Sequence, residues 1–126
     1  DHPQVTATVD RIRAELEVDG FVYRGRDRID GPLEEREGAF LPCSCWLEIV
    51  LAMSSRLDEA QVVLDQVSAL AGDLGILSEQ VDPASGAMLG NLPLVFTHAE
   101  YLHACLVLQE QRKLEAAAPA ERKEKP

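Results

Sequence analysis

An all-α fold built of antiparallel helical hairpins is predicted by three features of this sequence. Apolar residues recur every three or four positions in four separate stretches, a short link joins the second to the third, and a long loop with turn chemistry precedes the fourth. A four-helix bundle, a solenoid piece and part of an α/α barrel all satisfy this pattern, because each stacks antiparallel helix pairs through one apolar face. No internal repeat of fixed period is present, which disfavours the solenoid.

Val5, Val9, Ile12 and Leu16 share one stripe of a first helix that begins just after Pro3, with Gly20 as its stop. From Phe21 to Pro32 the periodicity is lost among Tyr23, glycines and alternating Arg and Asp, as in a short extended piece followed by a loop. Leu41, Trp46, Leu47, Ile49, Val50, Leu51 and Met53 cover nearly the whole circumference of a second helix, whose one interior charge is Glu48. Such a helix has to be buried on most sides, Trp46 included. Leu57, Ala60, Leu64, Val67, Ala71 and Leu74 mark an amphipathic third helix, with Asp58 and Glu59 near the positive end of its dipole. Asp82-Pro83-Ala84-Ser85-Gly86 and Gly90-Asn91 are turn signals in a loop from Gly75 to Pro93, long enough to suggest a functional role. Phe96, Ala99, Leu102 and Leu106 mark a fourth helix running to about Leu114, followed by a charged, disordered tail.

Composition narrows the function. Twelve Lys and Arg against twenty-two Asp and Glu leave a formal charge of -10, which repels phosphate backbones and anionic lipid surfaces. Nucleic-acid and membrane partners are therefore not expected, and Phe40 to Met53, the most apolar stretch, is too short and too interrupted to cross a bilayer. Cys43, Cys45 and Cys105 form an odd set without a disulfide ladder, which fits buried free thiols in a reducing cytoplasm. Cys43-Ser44-Cys45 has one intervening residue and no second pair, so no zinc site is assigned. His98 and His103, five apart on one helix, point to different faces, so no metal is assigned there either. The chain opens on Asp1-His2-Pro3 without Met or a signal peptide, as the interior of something longer would.

Two blocks carry a resemblance. They are Glu37-Gly38-Ala39-Phe40-Leu41-Pro42-Cys43-Ser44-Cys45-Trp46-Leu47 and Leu74-Gly75-Ile76-Leu77-Ser78-Glu79-Gln80-Val81-Asp82-Pro83-Ala84-Ser85-Gly86-Ala87-Met88-Leu89-Gly90-Asn91. Both resemble family 15 glycoside hydrolases, the glucoamylase and trehalase family, and a weaker similarity extends over residues 1–110. The resemblance implies an (α/α)6 barrel of which residues 1–113 supply the C-terminal portion of the catalytic domain, with residues 114–126 as the tail. It also implies that Glu79, in Ser78-Glu79-Gln80, is the general base, that the general acid lies upstream of this chain, and that no organic cofactor is needed. Cys45 stands where the family has Phe, and Leu92-Pro93-Leu94-Val95-Phe96-Thr97-His98 departs from the family's Phe-Pro-Gln-Ala-Phe-Ser-His run while keeping Pro93, Phe96 and His98.

Inverting glycoside hydrolysis uses one carboxyl to protonate the leaving oxygen and one carboxylate to deprotonate the attacking water, about 6.5–9.5 Å apart. One group alone cannot complete that cycle, so the chain is expected to be inactive by itself. Without the resemblance, Glu79 is one acid among twenty-two in a polar loop. Glu37 precedes the second helix and is read first as its cap; in an intact barrel the same residue faces the sugar-binding mouth. The implied partners are trehalose or another α-glucoside, together with the rest of the barrel or a second copy of the chain. The rival is a non-catalytic helical interaction module or gene remnant that retains an idle Glu79.

Overall fold

The computed structural model describes residues 2–32 and 36–118, and five helices with two small sheets make up their regular structure. Helix α1 (Pro3–Leu16) has proline in its first turn, where a missing N–H costs nothing, and His2 caps it by accepting the Gln4 N–H at 3.3 Å. The helix stops at Leu16 and not at Gly20, because the chain turns into strand β1 (Glu17–Val18), paired antiparallel with β2 (Phe21–Val22). Asp19 (φ 49°) and Gly20 (φ 86°) form the connection, the positive-φ pair that a two-residue hairpin needs. A single turn, α2 (Asp27–Asp30), follows in the segment expected to be loop.

Strand β3 (Ala39–Phe40) runs directly into α3 (Leu41–Met53), which carries Pro42 in its first turn. Leu41, Cys45, Leu47, Ile49, Leu51 and Ala52 are all buried, so the apolar circumference read from the sequence corresponds to a helix enclosed on most sides. Trp46 departs from that expectation: it is 44% exposed, and with Met53 and half-buried Val50 it leaves an apolar strip of α3 uncovered. The C-terminus of α3 is closed by Ser55, whose φ of 60° lets the Ser55 N–H reach the Ala52 carbonyl at 3.1 Å and the Arg56 N–H reach the Leu51 carbonyl at 2.9 Å.

Helix α4 (Leu57–Leu70) places Asp58 and Glu59 in its first turn, as the dipole favours. It ends before Leu74, because the chain tightens into a 3₁₀ turn (Gly72–Leu74) and then enters the left-handed region at Gly75 (φ 65°), leaving Leu74 82% exposed. Strands β4 (Gln80–Val81) and β5 (Met88–Leu89) add to β3 in a three-stranded antiparallel sheet, with Phe40 opposite Gln80 and Gln80 opposite Leu89. Helix α5 (Val95–Ala117) continues through residues 114–117, which the sequence assigns to the tail; residues 119–126 lie outside the described residues.

The core sits around α3, which packs against both α4 and α5, while α4 and α5 also touch. Leu41, Leu51, Val67, Leu77 and Val81 are almost fully enclosed; each such side chain contributes about 1.5–3 kcal/mol relative to exposure. Helix α1 leans on α3 through Val9 and is tied to the start of α4 by Arg56–Asp10 at 2.8 Å and Arg13–Glu59 at 2.7 Å. Pairs this close to solvent contribute about 0–1 kcal/mol each. An apolar groove of about 210 Å³ therefore remains between α1 and α3, bounded by Ile12, Leu16, Trp46 and Val50.

Candidate active site

The start of α3 and the segment leading into α5 are fastened to the same loop, and that loop carries Glu79. The Leu41 N–H donates to the Glu79 carbonyl at 3.1 Å, which joins α3 to the residue preceding β4. The Glu79 N–H donates to the Asn91 carbonyl at 2.9 Å, and the Leu94 N–H donates to the Leu77 carbonyl at 3.1 Å. Ser78, fully buried, donates its hydroxyl to the Gln80 carbonyl at 2.6 Å, while the Gln80 side chain accepts the Gly38 N–H at 3.0 Å. Both backbone polar groups of Glu79 are thus committed to defined partners, one on each side of it.

The side chain of Glu79 is held as well. Its Oε2 accepts the Asn91 backbone N–H at 3.1 Å and the Asn91 Nδ2 at 2.9 Å, while Oε1 makes no hydrogen bond among the described residues. One oxygen is oriented and the other is left able to accept a hydrogen bond from a bound molecule, an arrangement compatible with proton transfer. Glu79 is not a helix cap, because α3 begins at Phe40 without a side-chain cap and α5 begins at Leu94 without one. Gly90 packs against this carboxylate: it has φ 73°, and a Cβ added there would stand 2.8 Å from Glu79 Oε2. Gly90 is therefore constrained by backbone conformation and by space at once.

Glu37 does not cap α3, contrary to the first expectation. The chain passes from Glu37 through Gly38 and β3 before the helix begins, too far for its carboxylate to meet the first-turn N–H groups, and Arg24 takes it instead. Arg24 Nε donates to Glu37 Oε2 at 2.7 Å, its Nη2 donates to the other oxygen, and Arg28 lies 3.7 Å away. The Arg24 guanidinium also lies 5.8 Å from the Phe40 ring centroid. Its pKa is raised, first by the hydrogen bonds to Glu37 and then by the charges of Glu37, Glu79 and Asp27. Glu37, Arg24 and Glu79 consequently share one electrostatic neighbourhood at the β3–β4 end of the molecule.

An aromatic row extends from this place. Phe40 and Phe96 have centroids 6.3 Å apart, Phe96 and Trp46 are 6.0 Å apart, and Trp46 Nε1 donates to Glu100 at 3.0 Å. Both contacts are tilted, as aromatic quadrupoles prefer. Glu48 is a different kind of carboxylate. It is 0% exposed with both oxygens unpaired, and burial pushes its pKa up to about 7.

Burial also pushes the Cys43 thiol up to about 11 and Cys45 up to about 12, so neither is a thiolate near neutral pH. All three cysteines are free, no cluster of three or more His, Cys, Asp or Glu suited to a metal occurs among the described residues, and no helix there is long and apolar enough to cross a membrane. Asn91 and Gly90 are the site residues that sequence reasoning missed. They stand in the sequence as a turn signal at the end of the block that holds Glu79, and neither periodicity nor spacing links Asn91 to a carboxylate twelve residues earlier.

Residues 1–106 match the family described as glycosyl hydrolases family 15. A trehalase of Thermoplasma volcanium is 38% identical over 103 residues, covering 82% of this chain and 16% of that protein. Trehalases of Mycolicibacterium smegmatis and Mycobacterium tuberculosis are 35% and 36% identical over 105 residues, again covering 82% of this chain but 16% and 15% of their own lengths. The chain thus spans about a sixth of the curated relatives it matches. No solved structure gives a significant match. The chain belongs to family 15 of the glycosyl hydrolases, an (α/α)6 barrel family, and its antiparallel helical hairpins are part of such a barrel.

Proposed function

We propose that this chain is the C-terminal part of the catalytic domain of an inverting α-glucosidic hydrolase of trehalase or glucoamylase type, with Glu79 as its general base. The observation that carries the proposal is the half-committed carboxylate, with Oε2 clasped by Asn91 and Oε1 free to take a proton from water. In the catalysed step, Oε1 accepts one proton from a water molecule as the water oxygen bonds to the anomeric carbon. The glycosidic C–O bond breaks on the opposite face, and a second carboxylic acid protonates the departing oxygen. That acid belongs to a part of the barrel outside this sequence, so the chain by itself is inactive. Glu37, paired with Arg24, orients a sugar hydroxyl at the mouth, and Glu37→Gln therefore weakens sugar affinity.

The exposed apolar faces support a role for the rest of the barrel. Val95, Leu102 and Leu106 lie on one stripe of α5 at 81%, 61% and 64% exposure, a surface that soluble monomers normally cover. Upstream helices of the same barrel are its natural cover; when they are absent, self-association takes their place. Three free thiols support a reducing compartment such as the cytoplasm as the enzyme's location.

Glucose release from trehalose and maltose tests the proposal. The 126-residue chain alone releases none, whereas the longest reading frame that contains it hydrolyses one of the two. In that longer protein Glu79→Gln lowers kcat by roughly 10²–10⁴-fold. An unchanged kcat would remove Glu79 from the mechanism and leave a helical module with an idle acid.

A further inference from the structure

We propose that His98 is a positioning residue for the Glu79 loop, an inference that rests on the general-base role of Glu79. Leu77, two residues before Glu79, is 1% exposed, so its backbone N–H has no access to water. That N–H donates to Nε2 of His98 at 3.0 Å, and the Leu77 carbonyl accepts the Leu94 N–H at 3.1 Å. Both polar groups of Leu77 are therefore held by the entry to α5, the N–H by a side chain in its first turn. An Nε2 that accepts carries no proton, so the neutral imidazole has its hydrogen on Nδ1.

The bond matters for chemistry because of where the fixed residue sits. From Leu77 the chain passes through buried Ser78 to Glu79, whose N–H reaches Asn91 at 2.9 Å and whose carboxylate Asn91 also holds. If the Leu77 N–H loses its acceptor, a buried donor is left unpaired, and the loop regains satisfaction only by moving toward solvent. Such a movement draws Glu79 away from Asn91, so His98 sets the aim of the carboxylate without touching it.

The test uses the full 126-residue chain labelled with ¹⁵N. A through-hydrogen-bond coupling between the Leu77 amide nitrogen and His98 Nε2 is expected, and its absence when both signals are resolved overturns the inference. In His98→Phe, which keeps a flat ring but has no acceptor, the Leu77 and Glu79 amides exchange at least about tenfold faster, in keeping with one unpaired buried N–H. The Asn91 side-chain amide signals shift toward those of a free amide, while Val63 and Val67 on α4 keep their protection. His98→Gln, with an acceptor at similar reach, restores both local readouts. Unchanged exchange and unchanged Asn91 signals in His98→Phe would overturn the assignment, as would a His98→Gln chain that behaves like His98→Phe. If His98→Phe does not fold, the coupling in the unsubstituted chain decides. None of these readouts involves glucose release, so their failure would leave hydrolysis by Glu79 standing, and failure of hydrolysis would leave them intact.

Discussion

Replacing Glu48 by Gln should remove a pH-dependent loss of stability worth about 3 kcal/mol. Glu48 is enclosed in α3 at 0% exposure, with neither carboxylate oxygen hydrogen-bonded, and its pKa stands at about 7 against 4.5 for the free side chain. A carboxyl whose folded pKa is raised keeps its proton in the native state after the unfolded chain has released it. Stability is then full below pH 4.5 and falls through the window between 4.5 and about 7, where the unfolded state binds fewer protons. At about 1.4 kcal/mol per unit, a separation of this size amounts to about 3 kcal/mol, and the curve levels out above the folded pKa. The measurement is urea unfolding of the native chain and Glu48→Gln at pH 4.5, 5.5, 6.5 and 8, taking the difference at each pH so that other titrating groups cancel. Neighbouring Cys45, held near 12, is silent throughout this range. The native chain should lose about 3 kcal/mol relative to Glu48→Gln from the lowest to the highest pH. Parallel stability curves would refute a desolvated Glu48 and point to a water or ion that satisfies it in solution.

Three further outcomes follow from local geometry. Ser55 closes α3 at φ 60°, a conformation costly for any residue with a Cβ, so Ser55→Gly should raise unfolding free energy by about 0.5–1 kcal/mol after the greater freedom of glycine in the unfolded chain is counted; a decrease would mean that the hydroxyl contributes more than the strain costs. Gly90 (φ 73°) and Gly86 (φ 72°) have nearly the same backbone strain, yet only Gly90 faces an atom within 4 Å. Gly90→Ala should therefore be more destabilising than Gly86→Ala by about 1 kcal/mol or more in denaturant titrations, and equal costs would dissociate Gly90 from Glu79. Replacing Leu102 and Leu106 together by Gln should lower self-association of the isolated chain in sedimentation experiments without loss of helicity, since both are largely exposed; unchanged association would place the contact elsewhere.

Helix existence was largely legible, because a period of three to four survives wherever a helix has a core to face. Which face meets that core was less so. On α5 the clearest apolar stripe in the sequence, Phe96, Ala99, Leu102 and Leu106, lies on the exposed side, whereas the side turned to α3 and α4 carries Thr97, Tyr101, Ala104 and Leu108. Small and hydroxylated residues let α5 approach closely, with Tyr101 reaching Ser68 of α4 at 2.7 Å, and a hydropathy pattern gives them little weight. Trp46 reads as core because α3 is apolar all round, yet with Phe96 against its ring it remains 44% exposed. Asp19-Gly20, whose Gly20 reads as a helix stop, has the chemistry of a two-residue hairpin turn and forms one.

The site divides in the same way. Glu79 could be singled out through its resemblance to a known motif, and Ser78 and Gln80 beside it turn out to fasten the loop. Asn91 could not, because its partnership with Glu79 is created by the β4–β5 hairpin, which brings together residues that have no periodic relation. Glu37 was visible as a charge before a helix, but its partner Arg24 lies thirteen residues earlier across an irregular segment. Long-range polar pairs of this kind depend on tertiary placement that local propensity does not encode.

Chemical rescue tests the central proposal most directly. In the longest reading frame that contains this chain, Glu79→Ala removes the proposed proton acceptor, while azide, a nucleophile that needs no base, can occupy the vacated space. Azide should restore glycosidic cleavage and yield glucosyl azide of inverted anomeric configuration. Full hydrolysis by Glu79→Ala without azide, or the absence of any azide product in a folded variant, would contradict a general-base role for Glu79.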